Sequence, residues 1–148
     1  SLIRPKPSMR VLEVGTGSGY QAAVLARCVR EVDSIEVHPA LGRKAEALLK
    51  ALGVANVRVR IGDGFDGWPA RAPYDAILLT AAPGRVPKPL LDQLKVGGRL
   101  VAPVGGRGGQ ALIVMTRTRD GFTTETVASV MFVPMTGKAQ SDRGATPP

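Results

Sequence analysis

The alternation of strand-like and helix-like segments limits this chain to one class of fold more firmly than any other feature. Short segments with strand character are separated by longer segments in which apolar residues recur at helical spacing. Such repeats imply parallel strands joined by crossover helices, which build a doubly wound, Rossmann-like α/β sheet. The predicted strands are residues 10–14, 31–36, 57–61, 75–80 and 99–104, and the predicted helices are residues 19–30, 39–52 and 87–95.

Two longer strand-like segments, residues 110–118 and 122–133, predict an antiparallel hairpin at the end of the sheet. An Asp-Gly dipeptide at 120–121 lies between them, and this dipeptide is favoured in tight hairpin turns. We therefore expect a mostly parallel sheet with an antiparallel last strand. A chain of 148 residues has room for one domain, which we assign to residues 1–137. The polar residues 138–148 are expected to form a flexible tail.

Composition excludes several classes of protein and of site. Cys28 is the single cysteine, so an internal disulfide and a multi-cysteine zinc site are excluded, and a cytoplasmic location fits. No apolar run is long enough to cross a membrane. The net charge of +8 permits attraction to anionic partners, but aromatic residues make up only 4% of the chain, which does not favour nucleic acid.

The lone cysteine and the lone histidine are given structural roles. Cys28 lies in a predicted apolar helix, so we expect a buried thiol. His38 precedes Pro39, which suits the first turn of a helix, and we expect His38 at the helix N-cap or at the edge of a ligand pocket. No metal site is predicted, because His38 lacks partner ligands in the sequence.

A glycine-rich segment, VLEVGTGSG at residues 11–19, joins the first predicted strand to the first helix. Gly15, Gly17 and Gly19 alternate in it, and their missing Cβ atoms let the backbone turn tightly and approach a ligand closely. The N-terminus of the following helix favours negative charge. A dinucleotide-binding fingerprint requires glycine at position 20, where this chain has Tyr20. The spacing instead suits a compact ligand that carries a carboxylate.

Acidic and hydroxyl side chains lie in or just after the other predicted parallel strands, whose carboxyl ends meet at one crevice. Glu36 occupies the position that accepts hydrogen bonds from ribose hydroxyls in doubly wound folds. Glu13 lies within an apolar strand, which is costly unless a ligand ammonium or buried donors pair with it. Asp63 is placed to accept from an adenine amino group, and Thr80 ends the fourth strand. A carboxylate, an ammonium, a ribose and an adenine together describe S-adenosylmethionine, which we predict as the cofactor.

The same residues have a simpler interpretation as ordinary turns at the ends of strands. This alternative is weakest for the three glycines and strongest for Thr80. For Glu13 it takes the form of an acid that only organises the loop.

Several motifs, taken together, resemble the protein-L-isoaspartate O-methyltransferase family. The run RVLEVGTGSGYQ at residues 10–21, with Gly-Asp-Gly at 62–64 and Thr-Ala-Ala-Pro at 80–83, is more specific than a general methyltransferase signature. The resemblance covers residues 4–137 in the family's order, with shorter matches at residues 34–36, 67–69, 73–77, 86–87, 90–94, 97–98, 100–105 and 132–134.

This resemblance implies a seven-stranded class I methyltransferase sheet with an antiparallel last strand. It also implies an enzyme that repairs damaged proteins by transferring a methyl group from S-adenosylmethionine to the carboxylate of isoaspartyl residues. No metal and no catalytic side chain are implied, because a carboxylate nucleophile is already ionised at neutral pH. The implied cofactor-binding residues are Glu13, Gly15, Thr16, Gly17, Ser18, Gly19, Glu36, Asp63, Gly64 and Thr80. The implied substrate-binding rim consists of Ala81, Ala82, Pro83, Arg85, Val133 and Pro134, with Arg85 placed to attract the substrate carboxylate.

One part of the family pattern has no counterpart in this sequence. Family members carry an N-terminal helical segment with a Thr-Ile-Ser-type motif that closes over the cofactor, whereas nine residues precede the first predicted strand here. We therefore expect cofactor binding to persist and methylation of isoaspartyl peptides to be weak or absent. Two alternatives stay open: a class I methyltransferase acting on RNA or a small molecule, and a non-enzymatic module that binds S-adenosylmethionine.

Overall fold

The structure, a computed structural model, describes residues 2–141, and within this range seven strands form a single sheet. The strands are β1 (Arg10–Val14), β2 (Glu31–Glu36), β3 (Val57–Ile61), β4 (Tyr74–Leu79), β5 (Leu94–Gly106), β6 (Gly109–Arg117) and β7 (Phe122–Val130). The helices are α1 (Tyr20–Ala26), α2 (Pro39–Ala51), α3 (Lys88–Asp92) and α4 (Lys138–Ser141), with 3₁₀ turns at Gly64–Asp66 and Pro69–Arg71.

The strands are ordered β3-β2-β1-β4-β5-β6-β7, and the first five run parallel, which confirms the doubly wound α/β prediction. β6 pairs antiparallel with β5, and β7 pairs antiparallel with β6 across the Asp-Gly turn. The predicted antiparallel end of the sheet is thus confirmed, and the antiparallel pairing begins at β6. The strand order reverses between β1 and β4, so the carboxyl ends of these strands flank a crevice.

Apolar side chains fill both faces of the sheet, because successive strand residues point to opposite sides. On one face, Leu12 and Ile77 belong to a buried cluster that also contains Leu90 of α3. On the other face, Val11 and Val32 pack with side chains of α1. None of the helices between residues 2 and 141 has the length and apolar character needed to cross a membrane.

Helix α2 differs from its predicted packing in one respect. Its buried residues are Gly42, Ala45 and Leu49, whereas Leu41 and Leu52 of the predicted apolar face are exposed. The reason is a close approach to the sheet: a Cβ at Gly42 would press against the side chain of Ile61. Small residues therefore face the sheet, and Leu41 is turned toward the crevice.

Two predicted helices are shorter than the sequence indicated. Helix α1 ends at Ala26, so Cys28 follows the helix and is exposed, and the prediction of a buried thiol is wrong. Helix α3 ends at Asp92, and Leu94 already pairs with Tyr74 as the first residue of β5.

The expected tail is described only in part. Its first residues form α4, and Ala139 is buried. The remainder of the expected tail, residues 142–148, lies outside the described residues.

A network of charged and polar side chains ties together the amino-terminal half of the central strands, away from the crevice. Asp33, which is completely buried, accepts hydrogen bonds from Arg71 Nε at 2.7 Å and from the Tyr74 hydroxyl at 2.8 Å. Arg10 contacts Glu31, and its ring-stacked guanidinium lies 5.5 Å from the Tyr74 ring centre. Burial and the bond to Asp33 raise the pKa of the Tyr74 phenol. This network stabilises the scaffold at the edge opposite the crevice.

Candidate functional site

The glycine-rich loop folds back over the end of β1. The Gly15 amide donates to the carbonyl of Ile35 at 2.8 Å, which ties the loop to β2. Gly15, Gly17 and Gly19 have φ angles of 101°, 56° and 86°, a region that side-chain-bearing residues rarely adopt. An added Cβ at Gly15 would overlap Thr80 Oγ1, so this position also requires glycine for space.

Glu36 holds the loop and the start of α2 together. Its Oε1 accepts from the Gly17 amide at 2.8 Å, and its Oε2 accepts from the His38 amide at 2.9 Å. The residue is only 4% exposed, so the carboxylate is fixed in orientation at the crevice. Each carboxylate oxygen keeps acceptor capacity after one hydrogen bond. His38 is the N-cap residue of α2, as predicted, although its side chain makes no capping bond.

Glu13 lies beneath the loop and does not contact the cleft. Its side chain is fully buried, and Ser34 donates a 2.6 Å hydrogen bond to its Oε1. Ser34 Oγ lies 2.6 Å from Thr16 Oγ1 in the loop above. Burial, together with the charge of Glu36, raises the pKa of Glu13 to about 7, against the lowering effect of the bond from Ser34. Among residues 2–141, no group hydrogen-bonds Glu13 Oε2.

The opposite side of the crevice is formed by two segments that are distant in sequence. Thr80 donates from Oγ1 to the Gly15 carbonyl at 2.7 Å, which joins the end of β4 to the loop. Beyond it, the Ala82 amide donates to the Val133 carbonyl at 2.8 Å, and the Met135 amide donates to the Ala82 carbonyl at 2.8 Å. The two segments predicted as a substrate-binding rim are therefore neighbours in the fold.

These elements enclose a cleft of about 640 Å³ at the carboxyl ends of β1, β2 and β4. Much of its lining is apolar, and Glu36 and His38 are its two ionisable residues within residues 2–141. The predicted site residues that line it are Gly15, Gly17, Glu36, Gly64, Thr80, Ala81, Val133 and Pro134, and His38 lies at the same cleft as expected.

Eight predicted site residues do not line the cleft. Five of them are buried and lie behind the residues that line the cleft: Glu13, Thr16, Gly19, Ala82 and Pro83. Ser18 and Arg85 are exposed. Asp63 caps the first 3₁₀ turn, and its carboxylate accepts from the Phe65 and Lys138 amides, both at 2.9 Å. Their assignment to ligand binding stays a prediction.

Sequence reasoning missed several lining residues, namely Val14, Ile35, Val37, Leu41, Met135 and Thr136. Three of the six are apolar residues adjacent to a predicted carboxylate: Val14 follows Glu13, and Ile35 and Val37 flank Glu36. Adjacency to the predicted polar residues is the signal that finds these three. Residues 2–141 contain no group of three or more His, Cys, Asp or Glu side chains placed to hold a metal ion.

Comparison with known proteins places this geometry in context. The family model described as protein-L-isoaspartate(D-aspartate) O-methyltransferase (PCMT) matches residues 1–140. The chain is 53% identical over 134 residues to the protein-L-isoaspartate O-methyltransferase of Gloeobacter violaceus, a match that covers 90% of this chain and 65% of that relative. The chain thus spans less than two thirds of the length of that curated relative.

Solved structures share the fold. A protein-L-isoaspartate O-methyltransferase superposes with a TM-score of 0.88 at 30% identity, covering 93% of this chain and 45% of that one. A Plasmodium falciparum protein designated PCMT, solved in complex with S-adenosyl-L-homocysteine, superposes with a TM-score of 0.77. That match is 23% identical and covers 88% of this chain and 67% of that one, so it shows the fold alone.

Proposed function

Because the chain belongs to the protein-L-isoaspartate(D-aspartate) O-methyltransferase family, we propose that it binds S-adenosylmethionine and methylates the carboxylate of isoaspartyl residues in damaged proteins. The observation that carries this proposal is the meeting of the glycine-rich loop, Glu36 and the paired rim segments around one cleft. The activity of the relatives named above supports it.

The cofactor fits the groups that the cleft presents. The Glu36 oxygens, each already accepting one backbone amide, keep lone pairs for two ribose hydroxyls. A Cβ at Gly17 would stand in open space, so the backbone there leaves room for a ligand to approach. Ile35, Val37 and Leu41 offer apolar contact to an adenine ring.

The chemistry requires orientation and exclusion of water more than proton transfer. When bound, the cofactor would supply a sulfonium methyl group to a carboxylate oxygen, with S-adenosylhomocysteine as the leaving group. A carboxylate is ionised at neutral pH, so no residue of this chain has to act as a general base. The apolar lining and the fixed loop have the tasks of desolvating and aligning the two reactants.

We assign the substrate peptide to the rim. Ala81, Val133 and Pro134 line the cleft on that side, and the Val133 side chain is 70% exposed. Ala82 and Pro83 are buried and support the rim from below. Arg85 is an exposed cation in the same loop and is our candidate for attracting the substrate carboxylate.

Isotope transfer from labelled S-adenosylmethionine tests the proposal. The protein is incubated with an isoaspartyl peptide and, separately, with the normal aspartyl peptide of the same sequence. We expect label only in the isoaspartyl peptide, at whatever rate this chain supports. Calorimetry with S-adenosylhomocysteine runs alongside, and Glu36→Gln serves as the variant with a weakened ribose contact.

The outcomes separate the alternative functions. Absence of binding at millimolar S-adenosylhomocysteine would refute the cofactor assignment. Binding without transfer to either peptide would favour a non-enzymatic module. Equal labelling of both peptides, or labelling of RNA instead, would refute the isoaspartyl substrate.

A further inference from the structure

Three buried polar side chains form a connected chain beneath the glycine-rich loop. Glu13 and Ser34 stand opposite each other in the parallel pairing of β1 and β2, and both are fully buried. Ser34 donates to Glu13 Oε1 at 2.6 Å, and its oxygen lies 2.6 Å from Thr16 Oγ1. Thr16 is 4% exposed and belongs to the loop itself. The chain therefore runs from a buried carboxyl group to the element that borders the cleft.

The direction of the two hydrogen bonds is coupled, because each hydroxyl has a single hydrogen to donate. With Glu13 ionised, Ser34 donates to the carboxylate and must accept from Thr16. With Glu13 protonated on Oε1, Ser34 accepts from the carboxyl group and donates to Thr16, and the Thr16 hydrogen loses its acceptor. Protonation on Oε1 thus reverses both bonds and leaves the Thr16 donor in the loop unsatisfied, whereas protonation on Oε2 leaves the new O–H donor itself without an acceptor among residues 2–141.

We propose that Ser34 is a positioning residue that couples the protonation of Glu13 to the conformation of the glycine-rich loop, so that ligand affinity rises when Glu13 is ionised. This inference rests on the proposed function, since the ligand concerned is the cofactor or its demethylated product. Glu13 acts through Ser34 and Thr16 in this arrangement, because its buried side chain does not line the cleft.

The surroundings of Glu13 contain few other charges that could account for such an effect. Helix α1, which packs on the same face of the sheet, carries no charged residue, and β4 places Leu78 opposite Glu13. The charged side chains of α2 are exposed. Glu36 is the charged neighbour that acts on Glu13, and His38 is the other titratable group at the cleft. With the Glu13 pKa near 7, both protonation states are populated at neutral pH.

Calorimetry of S-adenosylhomocysteine binding at pH 6 and pH 8 tests the coupling. A group with a pKa near 7 changes from roughly one tenth to nine tenths ionised over this range, so wild-type affinity should rise by up to about tenfold. Glu13→Gln should remove this rise. Ser34→Ala keeps Glu13 but should show the same flat pH profile as Glu13→Gln.

A second pair of variants tests the same coupling if Ser34→Ala folds poorly. Thr16→Val removes the hydroxyl at the other end of the chain with little change in volume and should also flatten the pH profile. Thr16→Ser keeps a hydroxyl and should preserve the rise. Ser129→Ala, on the exposed strand β7, is the matched control for loss of a serine hydroxyl and should behave as wild type.

The outcomes distinguish this inference from the function on which it rests. If wild-type protein does not bind S-adenosylhomocysteine at either pH, the proposed function fails. If wild type binds and Ser34→Ala or Thr16→Val weakens binding equally at both pH values while keeping the wild-type rise, Ser34 has a purely structural role and the inference is wrong. A flat wild-type profile would refute it as well.

Discussion

Replacing Gly15 by alanine should destabilise the fold several times more than replacing Gly17, although both glycines border the same cleft. At Gly17, φ is 56° and an added Cβ meets nothing within 4 Å, so the cost is that of left-handed backbone alone, about 1 kcal/mol. At Gly15, φ is 101° and an added Cβ would overlap Thr80 Oγ1. Backbone strain, overpacking and a displaced Thr80 hydrogen bond together cost about 3–6 kcal/mol.

Urea denaturation followed by far-ultraviolet circular dichroism measures both changes. We expect the free energy of unfolding to fall by the amounts above, and Gly15→Ala combined with Thr80→Ala to recover part of the loss because the overlapping oxygen is gone. A Gly15→Ala variant no less stable than Gly17→Ala would refute the steric argument. Gly17→Ala, which stays folded, then reports on how closely S-adenosylhomocysteine approaches the loop, through its dissociation constant.

Three further predictions concern the scaffold and its titration. Asp33→Asn should lower the free energy of unfolding by about 3 kcal/mol in chemical denaturation, because Arg71 loses its buried counter-charge. Cys28 should react with a disulfide reagent in the native protein, since it is exposed, and protection until unfolding would contradict the structure. Between pH 4.5 and 7, the free energy of unfolding of Glu13→Gln should rise by up to about 3 kcal/mol relative to that of wild type, because the raised pKa of Glu13 makes its ionisation in the folded protein costly. Chemical denaturation at a series of pH values measures this difference.

The sequence predicted the order of the elements well, and of the predicted polar site residues, Glu36 and Thr80 line the cleft. The bounds of β2 and β3 agree with the predicted segments, because each is short and is bracketed by a turn. The glycine-rich loop and Glu36 could be predicted as candidate site residues because ligand-binding turns of this kind use a restricted set of residue types. The structure joins the two through the Gly17 amide, which donates to Glu36 Oε1 at 2.8 Å.

The predictions that failed depended on distances that no sequence pattern records. Periodicity marked Leu41 as a core residue, but the close packing of Gly42 against Ile61 rotates the helix and exposes Leu41 at the cleft. Cys28 was assigned to a helix that ends before it. Glu13 is not among the failed predictions: the sequence leaves a ligand ammonium and buried donors as alternatives, the structure supplies a buried donor in Ser34, and the assignment to ligand binding stays a prediction.

The main-chain hydrogen bonds of the rim affect how the substrate specificity of the cleft can be changed by substitution. Its two segments are joined at Ala82 by two main-chain hydrogen bonds: the Ala82 amide donates to the Val133 carbonyl, and the Ala82 carbonyl accepts from the Met135 amide. Every residue type supplies a carbonyl, and every type except proline supplies an amide hydrogen, so this joint does not depend on which side chains the rim displays. A library of substitutions at Val133, whose side chain is 70% exposed, can therefore alter the chemistry of recognition while the wall of the cleft stays in place.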